Sequence, residues 1–383
     1  MKDHLFYMAQ AIELAKKGLY TTDPNPRVGC VIVNEGQIVG SGWHQYAGQP
    51  HAEPNAIADA GQKTRGATAY VTLEPCSHFG KTPPCCDALI SAGISQVVVA
   101  MRDPNPLVAG AGLKRLEDAG ITVTCGVMED EARDLNPGFI RRMETGLPFV
   151  CCKMAMSLDG RTAMQSGESK WITGPEARAD VHKMRARSSA IVTGIATVLA
   201  DNPSMTVRPE EFGLQADNLH GFQQPIRVIV DSNLSIPVDA NILNEGAEVL
   251  IVTAVDVNSL TNAHLIEKVN ELRKRASIIY LPSVLGDASS RVDLKGLIEY
   301  LGQLGCNEVM VEAGAKLSGA MLQEHLIDSY IIYMAPKLLG SLARPLFELP
   351  LENMSDQVQF EIQSITQVGK DWKIETIPVR TND

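Results

Sequence analysis

Two short segments decide the reading of the first half of the chain: HAEPNAI at 51–57 and EPCSHFGKTPPC at 74–85. The first places a histidine two residues before a glutamate. The second places two cysteines eight residues apart, each next to proline. His51, Cys76 and Cys85 can offer one nitrogen and two sulfurs to Zn²⁺. Three protein ligands leave a fourth position for water, which is the catalytic pattern, whereas structural zinc sites close all four positions. A metal so held lowers the pKa of its water from about 15.7 to about 7. Glu53 then has the chemistry of a proton carrier beside the metal: it can take a proton from the water and hand protons to a ring nitrogen and a leaving amine. Zinc deaminases of nucleobases join a His-x-Glu segment to a Pro-Cys segment in this way.

The spacing departs from the usual Pro-Cys-x-x-Cys, since SHFGKTPP separates Cys76 from Cys85. Pro83 and Pro84 can stop the loop and start a helix at Cys85, where the helix N-terminus favours a thiolate. Two alternatives stay open. The residues could be buried thiols and a core histidine, or a structural site closed by His78 or Cys86. Cys85 is preferred over Cys86 because it follows the prolines directly.

Around these segments the first 125 residues alternate helix and strand signals, which implies an α/β layer structure. A helix is expected over 4–18, a hairpin in CVIVNEGQIVGSGWH with Glu35-Gly36 at its turn, and a helix after 53, where Pro54 suits a first turn. Strands are expected in ATAYVTL, QVVVAM and GITVTC, with helices over 86–92 and near 111–119. A break is expected at 137–150. Beyond it FVCCKMAMSLDG, RVIVDS, EVLIVTA, SIIYLP, EVMVEAG and SYIIYMAP are strand candidates, and 209–225 reads as a long surface loop.

The bulk numbers set limits. With 383 residues the chain has room for two domains. Net charge −11 argues against non-specific nucleic-acid binding, which needs a basic surface. A small phosphorylated ligand needs only a few local cations. No apolar run reaches the ~18 residues of a membrane span, and the N-terminal segment reads as a folded helix and not as a secretion signal. Eight scattered cysteines point to a reducing, cytoplasmic setting instead of a disulfide framework.

The second half lacks a G-x-G-x-x-G after a strand, so a classical dinucleotide-binding fold is not indicated. EVMVEAGAKLSGAML runs from a strand into a helix that starts with small residues. Backbone N–H groups there could hold a pyrophosphate, or the segment could be a plain strand–helix turn. KMRAR at 183–187 gathers three cations, whose simplest reading is a solvated helix face.

Longer segments carry a specific resemblance: NPRVGCVIV, GWHQYAGQPHAE, EPCSHFGKTPPCCDALI, DPNPLVAGAGLKRLEDAGI and LNPGFI in the first half, then KMAMSLDGRTA, SGESKWITG, RARSSAIVTGIATVLADNPSMTVR and VEAGAKLSGAML. The chain resembles, over almost its whole length, the bifunctional deaminase–reductase family of riboflavin biosynthesis. The resemblance implies a cytidine-deaminase-like α/β/α domain over 1–147 and a dihydrofolate-reductase-like α/β domain over 148–383. The first would remove an amino group hydrolytically, with one zinc ion, from a 2,5-diamino-6-ribosylaminopyrimidinone 5′-phosphate. The second would reduce the ribosyl group to ribityl with NADPH. It also implies a homodimer through the reductase domains.

Site residues follow by the same resemblance. Asn25 would hold the pyrimidine, and His44 and His78 would contact phosphate or ring. Ala155, Trp171, Thr197, Asp201, Ser232 and the run Gly314, Ala315, Lys316, Leu317, Ser318 and Gly319 fall at nicotinamide-cofactor positions. Ser169, Arg185 and Arg208 fall at the substrate phosphate, where a planar guanidinium fork suits phosphate oxygens. Lys153, Met205 and Glu312 fall at the rest of the substrate, with Lys153 a candidate for polarising the sugar carbonyl or imine. One departure stands out: PNAI follows Glu53 where an aliphatic residue is expected next, which puts the packing of that helix in question.

Overall fold

The computed structural model describes residues 2–78, 83–106, 109–213, 221–244, 246–283 and 291–379. The chain divides into two compact units, Met1–Gly146 together with the short segment Leu219–Phe222, and the remainder from Leu147 onward.

In the first unit, α1 (Lys2–Lys16) precedes a hairpin of β1 (Gly29–Asn34) and β2 (Gln37–Trp43). Glu35 and Gly36 turn it, both at positive φ, as a tight two-residue hairpin requires. Then follow α2 (Ala52–Ala60), β3 (Thr68–Val71), α3 (Cys85–Ser91), β4 (Gln96–Val99), α4 (Ala111–Asp118), β5 (Thr122–Cys125), α5 (Glu129–Leu135) and α6 (Pro137–Thr145). The sheet order is β2-β1-β3-β4-β5, antiparallel across β2-β1-β3 and parallel across β3-β4-β5. The break expected at 137–150 is largely helical: Asn136 precedes a proline at the start of α6, and Gly146 ends the helix at φ 77°.

What positions the site here is close helix–sheet contact. A Cβ on Gly40 would overlap Ala56 and Ala60, and one on Gly42 would overlap the backbone at Ala52 and Ala56. Glycine on the strand and alanine on the helix let α2 lie directly on β2. The unusual residue after Pro54 contributes to the same contact, because Asn55 Nδ2 donates to the Trp43 carbonyl at 2.9 Å. The helix that the PNAI departure put in question forms over Ala52–Ala60, with Pro54, the residue directly after Glu53, in its first turn.

The second unit runs β6 (Phe149–Ser157), β7 (Arg161–Ala163), α7 (Pro175–Arg187), β8 (Ala190–Gly194), α8 (Ile195–Asp201), β9 (Ile226–Val230), β10 (Val249–Thr253), α9 (Ala263–Leu272), β11 (Ser277–Tyr280), α10 (Leu294–Gln303), β12 (Glu308–Val311), α11 (Ala315–Gln323), β13 (Ser329–Ala335), β14 (Arg344–Pro345), β15 (Phe360–Val368) and β16 (Asp371–Pro378). Nine strands form one sheet in the order β11-β10-β9-β8-β12-β6-β13-β16-β15. It is parallel from β11 to β13, and the β15–β16 hairpin adds two antiparallel strands at one edge. β7 and β14 pair separately. All six strand candidates lie in this sheet. β8, β15 and β16 do so as well, without having stood out in the sequence. β15 reads FEIQSITQV and is mostly solvent-exposed, so its pattern is too polar to register as a buried strand.

β12 enters between β6 and β8, so the chain progresses outward to β11 and returns to the middle. Ligands of open parallel sheets bind at the carboxyl ends of strands where such a reversal occurs. The segment 209–225 begins with a single 3₁₀ turn over Pro209–Phe212, and residues 214–220 lie outside the described residues.

Candidate active sites

In the first unit the ligating atoms of His51, Cys76 and Cys85 all lie within 4.8 Å of one another. His51 caps α2 in extended conformation, and Cys85 opens α3 directly after Pro84. Cys85 Sγ is 3.3 Å from His51 Nδ1, and Cys76 Sγ is 3.7 Å from it. The Cys85 backbone N–H donates to Cys76 Sγ at 3.3 Å. Bonding to Cys85 and to His51 holds the Cys76 thiol down at about 4, so a thiolate forms readily there.

Cys86 does not share this cluster. Its thiol donates to the carbonyls of Pro75 (3.2 Å) and Gly112 (3.5 Å) and is fully buried, which pushes it up to about 12. Successive residues of a helix point about 100° apart, so only one of two adjacent cysteines can face the metal. His78 is exposed and outside the cluster.

Glu53 is 3% exposed, and its Oε2 has no hydrogen-bond partner among the described residues. Burial, then the Cys76 thiolate, push its carboxyl up, opposed by His51. A buried, unsatisfied carboxylate oxygen is costly and calls for an explanation. Beside two sulfurs and an imidazole nitrogen, the donor set that Zn²⁺ prefers, the explanation is a ligand or a transferred proton. The residues present fit a zinc ion.

Asn25 and His44 stand in a row behind this cluster. The His44 ring meets that of His51 edge-on at 5.2 Å between centroids. His44 Nδ1 donates to the Pro50 carbonyl at 3.2 Å, and its Nε2 accepts from Asn25 Nδ2 at 3.1 Å. His44 is 2% exposed, and burial lowers its pKa. It is placed to orient Asn25, with little surface to offer a phosphate.

Sequence reasoning missed two supporting residues. Glu74 is buried, and its carboxylate accepts four backbone N–H groups, from Asp103, Gly110, Gly112 and Leu113. It ties the metal-bearing Pro75–Cys76 step to the start of α4. The Arg27 backbone N–H donates to Asn136 Oδ1, and Asn136 Nδ2 returns a bond to the Arg27 carbonyl, fixing the loop that carries Asn25. Both partners lie far off in sequence, and no local pattern announces them.

In the second unit, the β6–β12 register pairs Cys152 with Val311 and so brings Lys153, in the middle of β6, beside Glu312, just past the end of β12. Lys153 Nζ lies 3.3 Å from Glu312 Oε1. Arg185 of α7 grips the same carboxylate with two 2.9 Å bonds and gives Nη1 to the Thr206 carbonyl at 3.2 Å. Burial would raise the Glu312 pKa, but Arg185 and Lys153 outweigh it and hold the carboxyl well below the ordinary range. Arg185 is therefore occupied with Glu312 and retains only two of its five N–H groups. Arg208 Nη1 pairs with Glu211 at 2.5 Å and is more than half exposed. The Ser169 hydroxyl donates to Asp201 Oδ1 at 3.1 Å. Met205 is buried at φ 54°.

Of the cofactor candidates, Ala155 lies two residues from Lys153 on the same face of β6. Trp171 is 64% exposed with Arg178 stacked 4.5 Å over its ring. Thr197 is on α8, and its hydroxyl lies 3.9 Å from where a Gly314 Cβ would stand. Ser232 Oγ accepts from the Val292 N–H. Gly314 starts α11 without a side-chain cap, leaving N–H groups at Ala315, Lys316 and Leu317 for an anion. Ser318 and Gly319 are buried instead: Ser318 bonds the Ala313 carbonyl, and Gly319 admits the Glu348 backbone, which a side chain would exclude. The uncapped α11 start at the strand reversal fits a dinucleotide pyrophosphate.

Fold and sites together define a zinc hydrolase of the deaminase class joined to a pyrimidine reductase. Residues 1–101 match the family described as cytidine and deoxycytidylate deaminase zinc-binding region, and residues 148–374 match the RibD C-terminal domain. The chain is 50% identical over 370 residues to riboflavin biosynthesis protein RibD of Escherichia coli strain K12, covering 96% of this chain and 97% of that one. A solved structure of Acinetobacter baumannii RibD superposes with TM-score 0.89 at 45% identity, covering 99% of both chains. The Thermotoga maritima diaminohydroxyphosphoribosylaminopyrimidine deaminase/5-amino-6-(5-phosphoribosylamino)uracil reductase does so with TM-score 0.83 at 34% identity, again over 99% of both. The chain belongs to the RibD family of bifunctional deaminase–reductases, with zinc in one domain and NADPH in the other.

Proposed function

We propose that the first unit deaminates a 2,5-diamino-6-ribosylaminopyrimidinone 5′-phosphate with Glu53 as its proton carrier, and that the second reduces the ribosyl group of the product. The observation that carries this is the partnerless, buried Glu53 Oε2 beside the His51–Cys76–Cys85 cluster. Zinc, when bound by those three residues, supplies a Lewis acid that makes water nucleophilic near neutral pH. Glu53 takes one proton from the attacking water and delivers it to the ring nitrogen, then takes the second from the hydroxyl of the adduct and delivers it to the amine, which departs as ammonia. Burial keeps its proton affinity high enough for both directions of transfer. Asn25, oriented by His44, holds the pyrimidine edge.

In the second unit Lys153 stands in the middle of β6, beside the carboxyl end of β12, and is aligned by Glu312. It donates toward the sugar oxygen or imine nitrogen. NADPH carries the hydride, and the protein contributes position and charge. Arg208 and Ser169 receive the 5′-phosphate, with the two remaining N–H groups of Arg185 behind them. Gly314 to Leu317 hold the cofactor's pyrophosphate.

Among the described residues no helix is long and apolar enough to cross a membrane. The two ligand thiols must stay reduced, which suits the cytoplasm. The acidic charge supports small-molecule substrates over nucleic acid. Ile362 and Ile365 stand more than half exposed on the edge strand β15, which suits pairing of two reductase units in a homodimer.

The test supplies the diaminopyrimidine phosphoribosyl substrate with and without NADPH and follows ammonia and cofactor absorbance separately. Ammonia release without NADPH, and NADPH oxidation only after it, is the expected order. Release of ammonia from free cytidine but not from this substrate would overturn the reading.

A further inference from the structure

The segment that carries Met205 and Arg208 is tied to α7 and to the residues just before β9 by bonds that no sequence motif announces. Arg185 donates to the Thr206 carbonyl, and Gln224 clamps Val207 from both sides, its Oε1 accepting the amide at 2.8 Å and its Nε2 donating to the carbonyl at 2.9 Å. One turn before Arg185 on the same helix, His182 completes the set. Its ring is 3% exposed. Nδ1 accepts the Arg208 backbone N–H at 3.2 Å, and Nε2 lies 3.3 Å from Glu211 Oε2. The other oxygen of Glu211 pairs with the Arg208 side chain. One imidazole thus fixes both the backbone of Arg208 and the carboxylate that engages its guanidinium.

We infer that His182 is a positioning residue for Arg208 and that Glu211 is an internal stand-in for the substrate's 5′-phosphate, held on Arg208 until a phosphate monoester displaces it. This rests on the reading of Arg208 as a phosphate contact. The tautomer follows from geometry: a backbone N–H can only donate to Nδ1, so the ring proton sits on Nε2 and points to Glu211. Burial, and then Arg185, lower the His182 pKa to about 4, so the ring keeps this single-proton state at neutral pH. The exchange is selective by charge. A phosphate dianion offers more charge and more acceptor oxygens than the Glu211 carboxylate, whereas an unphosphorylated substrate offers neither and leaves the pair closed. Glu211 sits on a single 3₁₀ turn, 35% exposed, and can swing toward solvent when displaced.

The test is reductase kinetics on the deaminated substrate with and without its 5′-phosphate, together with inhibition by inorganic phosphate. Glu211→Gln removes the competing charge, so KM for the phosphorylated substrate and the inhibition constant for inorganic phosphate should both fall about 3- to 10-fold, with kcat unchanged. The unphosphorylated substrate should not respond. His182→Ala should raise KM for the phosphorylated substrate about 10-fold with kcat unchanged. His182→Asn, whose Oδ1 replaces Nδ1 as acceptor, should recover most of that loss. A Glu211→Gln variant with unchanged or raised KM overturns the inference, as does a His182→Ala loss that is equal on both substrates or not rescued by asparagine. If His182→Ala does not fold, Glu211→Gln decides alone, since Glu211 lies on the surface. Arg208→Ala separates the two levels. If it leaves the preference for phosphate intact, the phosphate reading itself is wrong. If it abolishes that preference while Glu211→Gln and His182→Ala do nothing, only this inference fails.

Discussion

The two sites handle charge in opposite ways. In the deaminase unit the acid has no ion-pair partner: Glu53 bonds only the Cys85 thiol, and its Oε2 is buried without a partner among the described residues, beside two thiols and an imidazole. In the reductase unit the charges gathered around the substrate end already have partners: Glu312 with Arg185 and Lys153, Arg208 with Glu211, and His182 with both of the latter. The difference follows from who performs the chemistry. A hydrolytic deaminase must move protons with its own carboxylate, which a salt bridge would hold ionised. A nicotinamide reductase leaves bond-making to the cofactor, so its charges can rest in pairs that a ligand rearranges. Instability is concentrated at the first site, and ligand-exchange capacity at the second.

The sharpest way to break this contrast is Glu53→Ala. A general acid–base group is worth about 10²–10⁴ in rate, so ammonia release should fall by at least about a hundredfold while zinc content is unchanged. Metal analysis and ammonia assay check it, and NADPH oxidation with the already deaminated substrate should persist. Loss of zinc in this variant would make Glu53 a ligand, and the contrast would disappear.

Next in size is Arg185→Ala. Leaving Glu312 buried with one partner removed should destabilise the unit by about 3–5 kcal/mol, read by denaturant unfolding. Because Arg185 grips Glu312, kcat should fall as well as KM rise, in contrast to a pure phosphate anchor. The pH dependence has a definite sign. The Glu312 pKa is depressed in the folded state, so its contribution is present above the ordinary carboxylate pKa and fades as pH falls below it. Wild type and variant should therefore converge in stability toward strongly acidic pH.

Gly42→Ala tests the packing behind the first site. The new Cβ would overlap the backbone of α2 at Ala52 and Ala56, at an expected cost of about 1–3 kcal/mol. Thermal unfolding of the first unit should shift, and zinc affinity should weaken because His51 and Glu53 ride on that helix. The smallest effect belongs to Cys86→Ala. A buried thiol with only two weak bonds to carbonyls should cost about 1 kcal/mol, with full zinc occupancy. Cys85→Ala should abolish zinc binding, and equal losses in the two variants would mean that the assignment of the ligand is wrong.

Much of the first site was legible in the chain because its chemistry is local. His51 and Glu53 sit two residues apart at a helix start, and Cys76 and Cys85 flank one loop, so residue type and spacing alone specified the metal chemistry. Strand–helix alternation likewise specified the α/β class, since hydrophobic periodicity survives in any sequence that buries those faces. The charged clusters of the second unit were another matter. Arg185 and Glu312 lie 127 residues apart, and only insertion of β12 between β6 and β8 makes them partners. Read alone, KMRAR is a solvated helix face. The role of Glu74, the reciprocal bonds of Arg27 and Asn136 and the clamp of His182 on Arg208 were equally invisible, because each joins a side chain to backbone groups of a distant segment. The prolines before Cys85 already favoured it over Cys86 in the sequence, but only the structure shows where the Cys86 thiol goes instead, to the carbonyls of Pro75 and Gly112. A sequence encodes which groups are available and how each local stretch prefers to fold. Which of them meet, and which charges are left without a partner, is fixed only when sheet order and register bring remote residues within a few ångströms of one another.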